Sequence, residues 1–295
     1  MLLQSAMEYL MTYGWAILII AVVLGALFQL GIFNASTFTP KAPPGACHVF
    51  RPNGPGTTSF INTQGICNGE LPQYVAKFTG ALTSYVNAGT KTILEPSVFT
   101  LTLWERCIGC SSSSSYIALG LSGTSALPEM CVSCGTGGIG PLIYMGGSNY
   151  RYFQSTGASA IDGAWHFISF SVPGNALTSI ASSSVYIDGA AATVYTTIDT
   201  AAQSAIAGPF YIGAGLNYGF PGTIANVQFY NTTLSANEIT SLYQEGIGGA
   251  PIKLNNLVGW WPLNGDTKDY SGNNNNGAAS SVTFTSSWES GYSAP

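Results

Sequence analysis

Six cysteines, two histidines and thirteen acidic side chains hold most of this chain's capacity for covalent, acid–base or metal chemistry. Four of the cysteines fall as Cys107-x-x-Cys110 and Cys131-x-x-Cys134-Gly135, with twenty residues between the pairs. That spacing suits two hairpin knuckles presenting four thiolates tetrahedrally to a structural zinc ion. It equally suits two disulfides clamping the same insertion, each worth about 2–4 kcal/mol. An extracytoplasmic location favours oxidation. A redox role is not expected, because no strand–helix–strand context surrounds either pair. Cys47 and Cys67 form the natural remaining disulfide pair.

Acid–base chemistry finds little support. His166 follows Trp165 in an alternating stretch and reads as a strand residue rather than a base, and His48 is the other histidine. No nucleophile elbow or metalloprotease helix motif is present. Glycoside hydrolysis needs two closely placed carboxylates. Asp266 and Asp269 are the nearest pair, beside Ser271-Gly272 and the Asn273–Asn276 run. They read as Asx-turn formers, with a calcium site as the other possibility. No enzyme is expected, and zinc or calcium would be structural.

One carboxylate stands in an unusual place. After Glu8 the chain is uncharged from residue 9 to residue 33. As a helix this run would be roughly 37 Å long, enough to cross a bilayer core. It is apolar all round, so it needs lipid or a bundle of like helices. A carboxylate at the edge of such a helix is costly without a partner and is a functional candidate.

Behind the helix comes a connector at 34–68 with Pro40, Pro43, Pro44, Pro52 and Pro55, which reads as a semi-rigid stalk bracketed in its second half by Cys47 and Cys67. From residue 69 to 295 the texture is short alternating strands with Gly, Ser, Asn and Pro turns, the pattern of a β-sandwich. Strands are expected at 98–104, 165–172, 185–187 (closed by Asp188-Gly189), 210–212 and 224–230. One helix is expected from a capping box, Ser235 as N-cap and Glu238 at N3, ending near Gly246.

Only 7% of residues are charged and the net charge is −5, with eight scattered Lys and Arg. Nucleic-acid binding is thereby excluded as a reading. A surface of neutral hydrogen-bonding groups suits an exposed extracellular protein. Asn34-Ala35-Ser36 and Asn231-Thr232-Thr233 are N-glycosylation sequons.

Gln4-x-x-x-Glu8-Tyr9 followed by the apolar run resembles archaeal type IV pilins of the class III signal-peptide group. The resemblance implies cleavage between Leu3 and Gln4, with residues 1–3 as a leader remnant and 4–33 as the mature helix. It also implies that Glu8 meets the N-terminal amine of a neighbouring subunit. Met1-Leu2-Leu3 is shorter than that family's basic leaders, so an earlier start, a minimal leader and retained residues all stay open.

A second resemblance lies in the order of FTGALTSYVNAG (78–89), FTLTLW, Gly163-Ala164-Trp165-His166, YIDG and GTIANVQFYNTTLSANEITSLYQEGI. These look like successive strands of a concanavalin A-like, laminin-G-type domain. That resemblance implies an all-β jelly-roll sandwich with one short helix. Its glycoside-hydrolase members carry a Glu-x-Asp-x-Glu strand that this chain lacks. The opening strand of such a domain is displaced here to 257–295, beyond a linker at 247–256. It is expected to complete its own sandwich, with donation to a neighbour as the alternative.

Together these readings imply a structural subunit of an extracellular pilus-like filament. The subunit is membrane-inserted before assembly, polymerises with itself through the helix, and carries an outer domain able to meet cell-surface glycans. The alternative is a membrane-anchored lectin or adhesin that does not polymerise.

Overall fold

The computed structural model describes in full residues 13, 15–25, 72–89, 98–108, 160, 162–173, 183–193, 210–214, 219–293 and 295, and further strands by their backbone. It divides into two compact units, Met1–Lys41 and Ala42–Pro295. In the first, residues 15–25 are helical. Trp15, Ile17, Leu18, Ile19, Ile20, Val22, Val23 and Leu24 are all 47–67% exposed, on every side of the helix. No helix among the described residues is long and apolar enough to cross a membrane. The remainder of the 4–33 helix, with Leu3, Gln4, Glu8 and Asn34, lies outside the described residues.

The second unit is mostly β and sandwich-like, built around the ten-residue strand Pro221–Tyr230. Phe99–Cys107 pairs along one of its edges. The other edge is shared end to end: Val75–Thr79 pairs with its first half and Leu257–Trp261 with its second. His166–Val172, Ser184–Ile187 and Ala190–Ala191 extend the sheet beyond Phe99–Cys107, and Thr283–Thr285 closes the far side against Val75–Thr79. A three-stranded sheet of Tyr211–Ile212, Tyr85–Asn87 and Ala278–Ser280 supplies a second layer. The C-terminal segment therefore adds strands to both sheets of its own chain.

Alternation assigns each side chain to a face. Phe99, Leu101 and Leu103 join Ile168, Phe170, Val86, Ile212 and Phe210 in the core between the sheets. Trp104, Phe167 and Val75 join a second cluster on the opposite face, under the Ala236–Gln244 helix and the tail at Trp288.

The central strand cannot keep this alternation unaided, because Ile224 and Val227 both enter the inter-sheet core although three positions apart. A bulge at Asn226 resolves the conflict, with φ of 50° and a register shift between Ala225 and Gln228. One extra residue flips the parity of everything after it, so Val227 and Phe229 regain the core while Tyr230 reaches the helix side. Asn is among the few residues that adopt the left-handed region at small cost.

The capped helix forms as its sequence specifies. The Ser235 hydroxyl accepts from the Glu238 N–H at 3.4 Å, and the Ser235 N–H donates to the Glu238 carboxylate at 2.8 Å. Lys253 Nζ lies 2.8 Å from the same carboxylate. Ile239 and Leu242 enter the second core, and Gly246 follows at φ 79°.

Two parts of the organisation depart from the sequence expectation. Within the connector, Val49–Phe50 and Ile61–Asn62 form a short antiparallel pair, so it is not extended chain throughout. The region holding the second Cys pair is a five-stranded antiparallel sheet of Ser115–Leu119, Glu129–Gly135, Gly138–Gly146, Asn149–Ser155 and Val194–Thr197. Its hairpins were hidden because Gly135, Gly138, Gly140, Pro141 and Gly146 interrupt the apolar alternation.

Candidate functional site

The acidic turn at 264–277 is organised from within. Asp269 Oδ1 accepts from the backbone N–H groups of Trp260 and Ser271, and Oδ2 accepts from the Ser271 hydroxyl and the Asn275 N–H, all at 2.8–2.9 Å. Asp266 accepts from the Lys268 N–H at 3.2 Å and from the Tyr270 hydroxyl at 3.0 Å. Both carboxylates cap the N–H two residues on, the Asx-turn geometry. Asp269 also ties the loop to Trp260 in the sheet. Among the described residues no group of three or more His, Cys, Asp or Glu could hold a metal ion.

His166 has two partners that its sequence position does not announce. Nδ1 lies 2.8 Å from Asp188 Oδ2, and Nε2 lies 3.1 Å from Asp162 Oδ1. Asp188 Oδ1 accepts from the Phe167 N–H, and Asp162 Oδ1 from the Ala164 N–H. The hydrogen bond to Asp188 pushes the imidazole up to about 9, reinforced by Asp162 and opposed by burial. The Ala164 N–H in turn holds Asp162 below its ordinary range. At neutral pH the ring is therefore a doubly protonated cation donating to two carboxylates. It fastens together loop, strand and the Asp188-Gly189 turn. The turn is pinned onto the helix, where the Thr240 hydroxyl donates to the Gly189 carbonyl at 3.2 Å.

The outer face of the three-stranded sheet is different in kind. Val86 and Ile212 point into the core, which turns Tyr85, Asn87 and Tyr211 outward, all half-buried. The Tyr85 and Tyr211 rings meet edge to face, 4.9 Å apart at 76°. Beyond Ile212 the chain bends at Gly213, at φ 94°, where an added Cβ would strike the buried Phe78 ring. Ser280 is paired directly opposite Tyr85. Asn87 Oδ1 accepts from the Gly89 N–H at 2.9 Å, which fixes its amide.

Of the cysteines, Cys107 is buried at the end of its strand, 3.7 Å from the Pro221 carbonyl, and is disulfide-bonded to a sulfur outside the described side chains. Cys131 and Cys134 both lie within Glu129–Gly135, paired to strands on either side, where a hairpin knuckle was expected. Cys47, Cys67 and Cys110 lie outside the described residues. Asn231 is exposed, and its side-chain oxygen accepts from Asn256 at 3.0 Å.

The sequence matches the model of the Laminin_G_3 family, the concanavalin A-like lectin/glucanases superfamily, over residues 79–240. That is more than half of the chain, and the protein belongs to this family. No curated protein matches it. Among solved structures it is similar to a candidate carbohydrate-binding protein from Bacteroides ovatus, at 14% identity and a TM-score of 0.47, covering 73% of this chain and 60% of that one. Trypanosoma rangeli sialidase in complex with the inhibitor DANA follows at 18% and 0.42, covering 79% and 39%. Domains LG4-5 of the mouse laminin alpha1 chain match at 15% and 0.36, covering 58% and 42%. The chain thus spans less than two-thirds of each, and no site residue is carried over from them.

Proposed function

We propose that this protein is a structural subunit of an extracellular type IV pilus-like filament whose outer lectin-like domain recognises glycans. One observation carries the proposal: the helix at 15–25 exposes large apolar side chains on every side. Such a surface needs lipid or other helices around it, and burial of that surface drives association once a subunit leaves the membrane. Glu8, at the edge of the apolar run, would pair with the N-terminal amine of a neighbour after cleavage before Gln4. Membership of the lectin/glucanase family supports glycan recognition by the second unit.

The disulfide on Cys107 supports disulfides over zinc, with Cys110, Cys131 and Cys134 as the candidate partners. Cys47 with Cys67 would staple the connector, and Asn34 and Asn231 would carry glycans.

Cryo-electron microscopy of material sheared from the native cell surface tests the assembly. The expected result is a helical filament with residues 4–33 at its axis, and loss of filaments with intact membrane insertion in Glu8→Ala. If the chain stays in the membrane fraction and no filament contains it, the protein is an anchored lectin instead.

A further inference from the structure

We infer that the outer face of the three-stranded sheet is a stacking subsite for a neutral hexopyranose, with Tyr85 and Tyr211 as its aromatic platform and Asn87 as its polar contact. This rests on the glycan-recognition reading above and gives it a place and a ligand class.

The geometry supplies what a pyranose needs. One face of a hexopyranose ring is a patch of C–H bonds, and its equator is a ring of hydroxyls. Polarised C–H groups pack favourably on the negative face of an aromatic ring. In an edge-to-face pair one ring holds the other upright, so the platform is rigid before the ligand arrives. Ser280, directly opposite Tyr85 on the flanking strand, is small, and Tyr85 and Tyr211 are half-buried rather than enclosed.

Hydroxyl recognition has its own groups. With Asn87 Oδ1 held by the Gly89 N–H, the amide N–H2 is directed away from its own turn and can donate to a sugar oxygen. The Tyr85 and Tyr211 hydroxyls make no hydrogen bond among the described residues and complete the polar rim. The three strands, YVN, YI and AAS, contain no charged residue. A sugar carboxylate or sulfate would therefore lose its hydration here without a counter-charge, which selects a neutral ring. The other polar clusters are already occupied: Asp269 by four donors, and His166 by two carboxylates.

The test uses the full chain in detergent, calcium-free, titrated calorimetrically with cellohexaose, maltohexaose, mannohexaose and 3′-sialyllactose. A broad glycan array is run in parallel. The expected result is binding of at least one neutral hexasaccharide and none of sialyllactose. Tyr85→Ala or Tyr211→Ala should weaken that binding at least tenfold, with the thermal midpoint held within a few degrees. Tyr211→Phe keeps the ring and should retain binding. Asn87→Asp keeps the acceptor for Gly89 but loses the amide donors, and should weaken binding even if the alanine variants misfold.

Unchanged neutral-sugar binding in Asn87→Asp and both alanine variants overturns the subsite and leaves glycan recognition standing. Binding of sialyllactose alone, or of array glycans but no neutral hexasaccharide, overturns the ligand class. Silence across titrations and array overturns both this inference and the glycan reading on which it rests.

Discussion

The indole N–H of Trp260 donates to the side-chain oxygen of Asn226 at 2.8 Å, joining the bulge of the central strand to the C-terminal strand beside it. The same oxygen accepts from Gln228 at 3.0 Å, and the Asn226 amide donates to the Gly249 carbonyl at 2.8 Å. One side chain thus holds the bulge, its neighbouring strand and the linker between them.

Asn226→Ala should destabilise the second unit by about 3 kcal/mol or more. It orphans the buried Trp260 donor, at roughly 1–3 kcal/mol, leaves Gln228 only its 3.4 Å bond to the Gly249 carbonyl, and places a residue without a local side-chain hydrogen bond at φ 50°. Urea unfolding followed by tryptophan fluorescence measures this. Asn226→Asp, which keeps the acceptor for Trp260, should lose less.

His166 gives the domain a signed response to pH. Its folded value of about 9 stands above the ordinary 6.5, so folding favours the protonated ring. The contribution is complete below about 6.5 and is lost as pH rises through about 9. Asp162 is shifted down, so its contribution holds above its ordinary range and fades as pH falls. The thermal midpoint should therefore decline between neutral pH and about 9, and His166→Gln should flatten that decline.

Trp288→Ala should cost about 3–5 kcal/mol, the range for removing a large buried aromatic. It forfeits the edge-to-face contacts with Trp165 and Tyr292 and the hydrogen bond to Pro72. Trp288→Phe retains ring packing and should cost less by denaturant unfolding. Limited proteolysis should cut the tail first in the alanine variant.

Gly189→Ala should loosen the helix from the sheet. Gly189 has φ of 74°, and an added Cβ would lie 2.8 Å from the Tyr243 ring. Destabilisation of at least about 1 kcal/mol is expected from the backbone conformation alone. Hydrogen exchange should speed selectively in residues 236–244.

Much of the fold was written in local pattern. The run at 98–104 alternates through Phe99-Thr100-Leu101-Thr102-Leu103 and becomes Phe99–Cys107, and Ser235 with Glu238 marks the start of Ala236–Gln244. Asp188-Gly189 becomes the left-handed turn that its residue types specify. The parity flip at Asn226 was not readable, because a bulge is required only once the faces of neighbouring strands are known. The five-stranded sheet escaped because glycines erase its periodicity. The partners of His166 escaped because Asp188 lies 22 residues away and meets it only through strand pairing. The tyrosine face escaped for the same reason, since Tyr85 and Tyr211 look like ordinary strand aromatics until the sheet turns both to one side.

Trp288 donates its indole N–H to the Pro72 carbonyl at 3.0 Å, across 216 positions of sequence. Beside it, Val75–Thr79 runs antiparallel to Pro221–Tyr230 on one flank and to Thr283–Thr285 on the other. A pull reaching the domain through Pro72 therefore travels along a strand gripped on both sides. The hydrogen bonds of such a ladder are loaded together in shear, whereas an edge hairpin peels open one rung at a time. The tail acts as a latch on the strand that would carry traction, so resistance to tearing is set where the chain enters.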